Sequence, residues 1–199
     1  MDSAPSNAPR AAASTKIVVA GGFGVGKTTL VGSVSEIKPL RTEALVTNES
    51  EGHDDLEAVP TKSTTTVAMD FGRITLAEDL VLYLFGTPGQ RRFWFMWDDL
   101  CLGAIGAIVL VDTGRLNEAF SPLDYFEAKG IPFIVAVNEF EGGQRYPLEE
   151  LREALALPPE VPLINVDARQ RESAKAALVR VTEYALEKLT HDASALSAR

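Results

Sequence analysis

A single cysteine, Cys101, occurs in this chain of 199 residues, so no intramolecular disulfide can form and stability must come from a core. Cys101 lies in an apolar stretch and is read as a small buried hydrophobe. Basic residues are also scarce. The 19 Lys and Arg against 28 Asp and Glu leave a net charge of -9, which argues against a nucleic-acid groove, because phosphate contacts need a basic surface. No run reaches the roughly 18 uncharged apolar residues of a membrane span. The longest, over 100–112, is too short and ends in an acid. The first 14 residues are rich in Ala, Ser and Pro without a signal-peptide core, and neither end carries a lipidation motif. These absences predict a disordered tail over 1–14, a cytoplasmic location, no direct membrane anchor, and membrane contact only through a partner. No internal repeat is visible.

What the chain does have is 46% hydrophobic and 24% charged residues, enough for one globular domain with an ample core. The apolar run Lys16-Ile17-Val18-Val19-Ala20 has strand character and leads into Gly21-Gly22-Phe23-Gly24-Val25-Gly26-Lys27-Thr28. That segment is a complete Gly-x-x-x-x-Gly-Lys-Thr loop. Its glycines let successive N–H groups turn inward around a phosphate, Lys27 faces the β and γ oxygens, and the Thr28 hydroxyl is placed to ligate Mg²⁺. The helix expected from Lys27 through Thr29 to Val34 adds its positive end to the anion site.

Residues 38–63 hold Pro39, Gly52, Pro60 and an acidic cluster, and read as a long exposed loop. Segments 64–75 and 80–85, with a turn at 77–79, read as a hairpin. Three further buried strands are expected at 103–112, 131–138 and 161–166, alternating with helices near 116–129, 147–155 and 170–189. The last helix carries Ala177, Leu178, Val181, Tyr184, Ala185 and Leu189 on one stripe. The expected fold is an α/β P-loop NTPase: a mostly parallel six-stranded sheet, helices on both faces and one antiparallel edge strand. The expected domain spans 15–189, with a flexible tail over 190–199.

Further motifs line up behind the loop and together resemble the Ras-like small GTPases over about residues 15–189. Thr66-Val67-Ala68-Met69-Asp70-Phe71 looks like the end of switch I, where the family's threonine closes on Mg²⁺ and the γ-phosphate; Thr66 is that candidate, with Thr64 and Thr65 as rivals. Gly86-Thr87-Pro88-Gly89-Gln90 stands where the family has Asp-x-x-Gly-Gln. The resemblance implies that Gly89 donates its N–H to the γ-phosphate and that Gln90 orients the attacking water. The aspartate is replaced by Gly86; Asp112 could be imagined as a substitute carboxylate, but is better read as a cap. Asn138-Glu139-Phe140-Glu141 stands at the Asn-Lys-x-Asp position, so Asn138 and Glu141 are implied to serve the guanine base, with Ala168 of Asp167-Ala168-Arg169 donating to the guanine O6.

Aromatics crowd Phe93, Trp94, Phe95 and Trp97; they cannot all face one core, and they suggest a switch-dependent partner surface. Arg41, Arg91 and Arg92 are possible internal arginine fingers. The glycine-for-aspartate form is similar to that of the bacterial Ras-like GTPases of conservon operons. This resemblance implies GTP/GDP and Mg²⁺ as cofactors, and roadblock-type or sensor-kinase-like proteins as partners. The expectation is a guanine-nucleotide switch with slow GTPase activity. The alternatives are a pseudo-GTPase binding module and an ATP-dependent P-loop kinase, the latter lacking its usual arginine-rich lid.

Overall fold

A computed structural model describes the backbone of residues 13–38, 40–47 and 64–197, and the side chains of 13–38, 69–90 and 93–194. Among the described residues seven strands form one sheet: β1 (Ala13–Gly21), β2 (Leu40–Thr47), β3 (Thr64–Ala77), β4 (Leu80–Gly86), β5 (Gly106–Val111), β6 (Phe133–Asn138) and β7 (Leu163–Val166). Their order is β2-β3-β4-β1-β5-β6-β7. The α/β P-loop fold and all six expected strands are present. The seventh, β2, falls where the sequence reads as loop, and pairs antiparallel with β3 from Leu40↔Phe71 to Thr47↔Thr64. The single reversed strand, β3, is therefore inside the sheet and β2 is its edge. β3 and β4 form the expected hairpin.

The helices are α1 (Lys27–Val34), α2 (Trp97–Cys101), α3 (Phe120–Lys129), α4 (Leu148–Ala154) and α5 (Arg171–Ser197), with 3-10 turns at Arg91–Met96 and Thr113–Glu118. Alternation along the central strands divides the core into two layers. Ile17, Val19, Ile108, Leu110, Ile134 and Ala136 pack under α1 and α5. Val18, Ala20, Val109, Val111, Val135 and Val137 pack under α2, α3 and α4. Strands covered on both faces read as continuous apolar runs, which is why they were legible.

Two expectations about helices change. α5 continues to Ser197, beyond the assigned boundary at 189 and through most of the expected tail. Its buried stripe runs from Ala174 to Ala185, while Leu189 is exposed, because the helix outlasts the sheet it covers. The tail expected over 1–14 lies outside the described residues up to 12, and Ala13 and Ser14 already belong to β1. Of the expected 38–63 loop, residues 48–63 lie outside them as well. Among the described residues, no helix is long and apolar enough to cross a membrane.

β1 is flanked by β4 on one side and β5 on the other, both parallel to it. The chain thus leaves β1 in one direction and returns in the other, opening a crevice beyond the carboxyl ends of the strands. The ends of β1, β4, β5, β6 and β7 all deliver their following residues to that edge.

Candidate nucleotide site

The loop after β1 forms because glycine occupies each position of positive φ: Gly21 at 136°, Gly24 at 71° and Gly26 at 107°. Such alternation turns backbone N–H groups toward a common centre. The carbonyls are held away from it. Lys27 Nζ donates to Gly21 O at 3.0 Å and to Gly22 O at 2.6 Å. Asn138 Nδ2 donates to Val25 O at 2.9 Å, and Leu30 N to Gly26 O at 2.8 Å.

Lys27 is almost wholly buried. Desolvation lowers its ammonium to about 8, with Asp70 and Glu118 pulling it back up and Arg115 pushing it down. A buried cation beside a glycine loop at a helix N-terminus suits an anion. Phe23, Gly24, Gly26, Lys27, Thr28 and Thr29 line one wall of a cleft of about 400 Å³ there. Asp70, Thr87, Pro88, Gly89, Gln90 and Phe93 line the other. Gly89 lies so close that a Cβ on it would stand 2.8 Å from Lys27 Nζ and 2.9 Å from Phe23 Cα. Only glycine fits, and its backbone therefore reaches the phosphate loop directly.

One residue escaped the sequence reading. Asp70 on β3 accepts a hydrogen bond from Thr28 Oγ1 at 2.6 Å and is only 7% exposed. It pairs with Gly86 across the β3–β4 ladder, and a Cβ at 86 would sit 3.0 Å from Asp70 Oδ2. The carboxylate absent from position 86 is thus supplied from the neighbouring strand. Nothing in the local sequence marks it; the signal is the hairpin register that sets 70 against 86. Asp112 serves as the cap it resembles, accepting from Gly114 N at 2.9 Å.

These donors fit Mg²⁺. The Thr28 hydroxyl and the Asp70 carboxylate are a hard-oxygen pair beside the lysine, suited to an ion that keeps much of its water. Thr87, buried in the same cleft, has a hydroxyl with no partner among the described residues, which a coordinated water would satisfy. Thr66 lies on β3 opposite Leu45, and its side chain is outside the described part. So are those of Arg41, Arg91 and Arg92.

At the base end the expected residues converge in a different arrangement. Asn138 is buried and braces two segments, donating to Val25 O and accepting from Ala168 N at 3.0 Å. The Ala168 N–H is therefore engaged inside the protein, and the Arg169 N–H is likewise donated to Asp167 Oδ1 at 3.0 Å. Glu139 meets Arg145 at 2.8 Å. The Glu141 side chain is 93% exposed, 3.4 Å from Arg169 Nη1.

The aromatic cluster also divides. Trp97 is fully buried, packed on Tyr125 and Phe126 with its indole N–H donated to Pro88 O, and Phe93 is buried as well. Trp94 is half-buried against Trp97, which leaves Phe95, 65% exposed, as the surface aromatic. The expected four-aromatic surface is corrected accordingly: a segment with two anchors in the sheet-side core cannot present all its rings to solvent.

A glycine loop closed on a buried lysine, at the carboxyl edge of a mostly parallel sheet, defines a P-loop nucleotide-binding protein. The profile of the family described as "conserved hypothetical ATP binding protein" matches residues 19–188, and the chain belongs to that family. The uncharacterized protein MJ1339 of Methanocaldococcus jannaschii is 34% identical over 130 residues, covering 64% of this chain and 71% of that protein. Among solved structures, the FeoB G-domain from Methanococcus jannaschii superposes with a TM-score of 0.56 at 13% identity, over 86% of this chain and 98% of the other. The G domain of the T. maritima FeoB iron transporter does so with a TM-score of 0.59 at 18% identity, over 87% and 99%. At these identities the likeness is one of fold.

Proposed function

We propose that this chain is a guanine-nucleotide switch that binds GTP and GDP with Mg²⁺ and hydrolyses GTP slowly. The observation that carries the reading is the closed set of Lys27, Thr28, Asp70 and Gly89 around one cleft. Lys27 neutralises the β and γ oxygens, and Thr28 with Asp70 holds the metal, which when bound withdraws charge from the phosphates. The Gly89 N–H faces the γ-phosphate, and Gln90 beside it orients a water. That water's oxygen attacks the γ phosphorus, the bond to the diphosphate breaks, and the proton passes to phosphate. Among the described residues no arginine lines this cleft, and the proposal expects turnover near the rate of isolated GTPases, roughly 10⁻⁴ per second.

Guanine preference rests on Glu141, a carboxylate suited to accept from the N1–H and N2–H₂ of the base, in the turn after β6. One observation favours the second reading, adenine nucleotide: the backbone donors of Ala168 and Arg169 are already engaged, and the family's description speaks of ATP. Equilibrium competition of GTP, GDP, ATP and ADP against a labelled nucleotide, with single-turnover hydrolysis, tests both. The proposal expects guanine nucleotides to win at least tenfold, and Glu141→Ala to erase that margin. ATP binding as tightly as GTP overturns it. A roadblock-type or sensor-kinase-like partner belongs to this same proposal and rests on the family resemblance, while a cytoplasmic location rests on the single cysteine.

A further inference from the structure

The outer side of the phosphate loop is gripped by a segment that none of its motifs includes. Between β5 and α3 the 3-10 turn Thr113–Glu118 is broken at Arg115, whose φ of -144° and ψ of 48° aim it out of the helical path. Arg115 Nη1 donates to Phe23 O at 2.8 Å, across 92 positions of sequence. The other edge of the guanidinium is fixed by Asp112, with Nε 3.0 Å and Nη2 3.0 Å from Oδ2. Asp112 is itself anchored by Gly114 N. Glu118, 3.5 Å from Arg115 Nη1, lays its carboxylate against Gly22. Past Phe23, Arg115 Nη2 borders the left-handed Gly24, 3.7 Å from where a Cβ would stand. One turn thus touches three consecutive loop residues.

The loop's carbonyls show what that grip does. Those of Gly21 and Gly22 are drawn off by Lys27, that of Val25 by Asn138, and that of Gly26 by the helix. Among the described residues, Phe23 O is drawn off by Arg115. If it swings inward it displaces an N–H and points a negative dipole at the phosphates. Lys27 and Asn138 are buried, whereas the Arg115 side chain is 40% exposed, so this tether is open to solvent or a docking protein.

We propose that Arg115, oriented by Asp112, is a positioning residue that holds the phosphate loop in its anion-binding shape and sets the rate at which nucleotide leaves. The inference rests on the nucleotide-binding reading above, for either base. Substituting Arg115 removes a charge-assisted hydrogen bond to a backbone carbonyl without replacing any residue that lines the nucleotide cleft. Its loss appears in dissociation while association stays near that of the unaltered protein.

The test is stopped-flow release of mant-GDP and mant-ADP into excess unlabelled nucleotide, with the melting temperature of the nucleotide-free protein recorded beside it. Arg115→Ala is expected to speed release roughly ten- to a hundredfold with melting unchanged within about 2 °C. Arg115→Lys, which keeps the charge but loses the two-point hold on Asp112, falls between. Asp112→Asn, which loosens the same guanidinium, also accelerates release. Release at the unaltered rate in both Arg115 variants overturns the proposal. So does acceleration that is matched by a melting drop of several degrees and not rescued by lysine, which marks general loosening. Failure of the underlying reading looks different: the unaltered protein then binds neither nucleotide and Lys27→Ala changes nothing, and both proposals fall.

Discussion

Asp70 and Gly86 face each other across the β3–β4 ladder, and the carboxylate of the first fills the space that a side chain on the second would need. The Asp70 carboxylate reaches Thr28 from β3, and a side chain on 86 would crowd it. Asp70→Ala is expected to weaken Mg²⁺-dependent nucleotide binding about ten- to a hundredfold, while leaving binding in EDTA nearly unchanged. Gly86→Asp alone should destabilise, by crowding at about 3.0 Å and like charge. The exchange of both, Asp70→Gly with Gly86→Asp, should recover most of the Mg²⁺ effect. Titration with and without Mg²⁺ decides it; a double variant no better than Asp70→Ala refutes the equivalence.

Binding should depend on pH through Lys27. In the free protein burial lowers its ammonium to about 8, and bound phosphate raises it again. Below that value the amine is charged in both states and affinity is flat. As pH rises past it, binding must take up a proton, and affinity falls by up to about tenfold per unit. Calorimetry in two buffers of different ionisation heat should register about a tenth of a proton taken up at pH 7 and close to one at pH 9. Equal uptake at both pH values would contradict this.

Asn138 should matter before any nucleotide arrives. Asn138→Ala strands Val25 O and Ala168 N, both buried, at about 1–3 kcal/mol each. For a chain of this size that lowers the melting temperature on the order of 10 °C. Differential scanning calorimetry of the nucleotide-free variant measures it. A change under about 2 °C would mean the brace contributes nothing.

Trp97 and Phe95, two residues apart, should behave oppositely. Trp97→Ala empties a fully buried site and should cost about 3–5 kcal/mol in urea unfolding. Phe95→Ala, at 65% exposure, should stay within about 0.5 kcal/mol. Any partner contact through this segment should be lost with Phe95→Ala in a pull-down. A stable Trp97→Ala protein would contradict the packing described.

Residues 21–28 disclosed their chemistry in the sequence because the glycines, Lys27 and Thr28 stand at fixed spacing within one short segment. The β5 and β6 runs were equally legible, since strands buried on both faces carry no alternation to confuse them. β2 was not, because Arg41, Thr42 and Glu43 interrupt its apolar residues and only the β3 ladder selects extended structure for it. The long-range pairs were beyond reach for the same reason. Thr28 with Asp70, Phe23 with Arg115 and Asn138 with Val25 lie 42, 92 and 113 positions apart. Local propensity and motif spacing carry no information on such contacts; strand order and register create them. The sequence by itself determined that a phosphate is held and by which loop. Only the tertiary structure decided which carboxylate meets Thr28, which arginine bonds the loop, and which aromatic rings are left facing water, because each depends on what the sheet brings alongside.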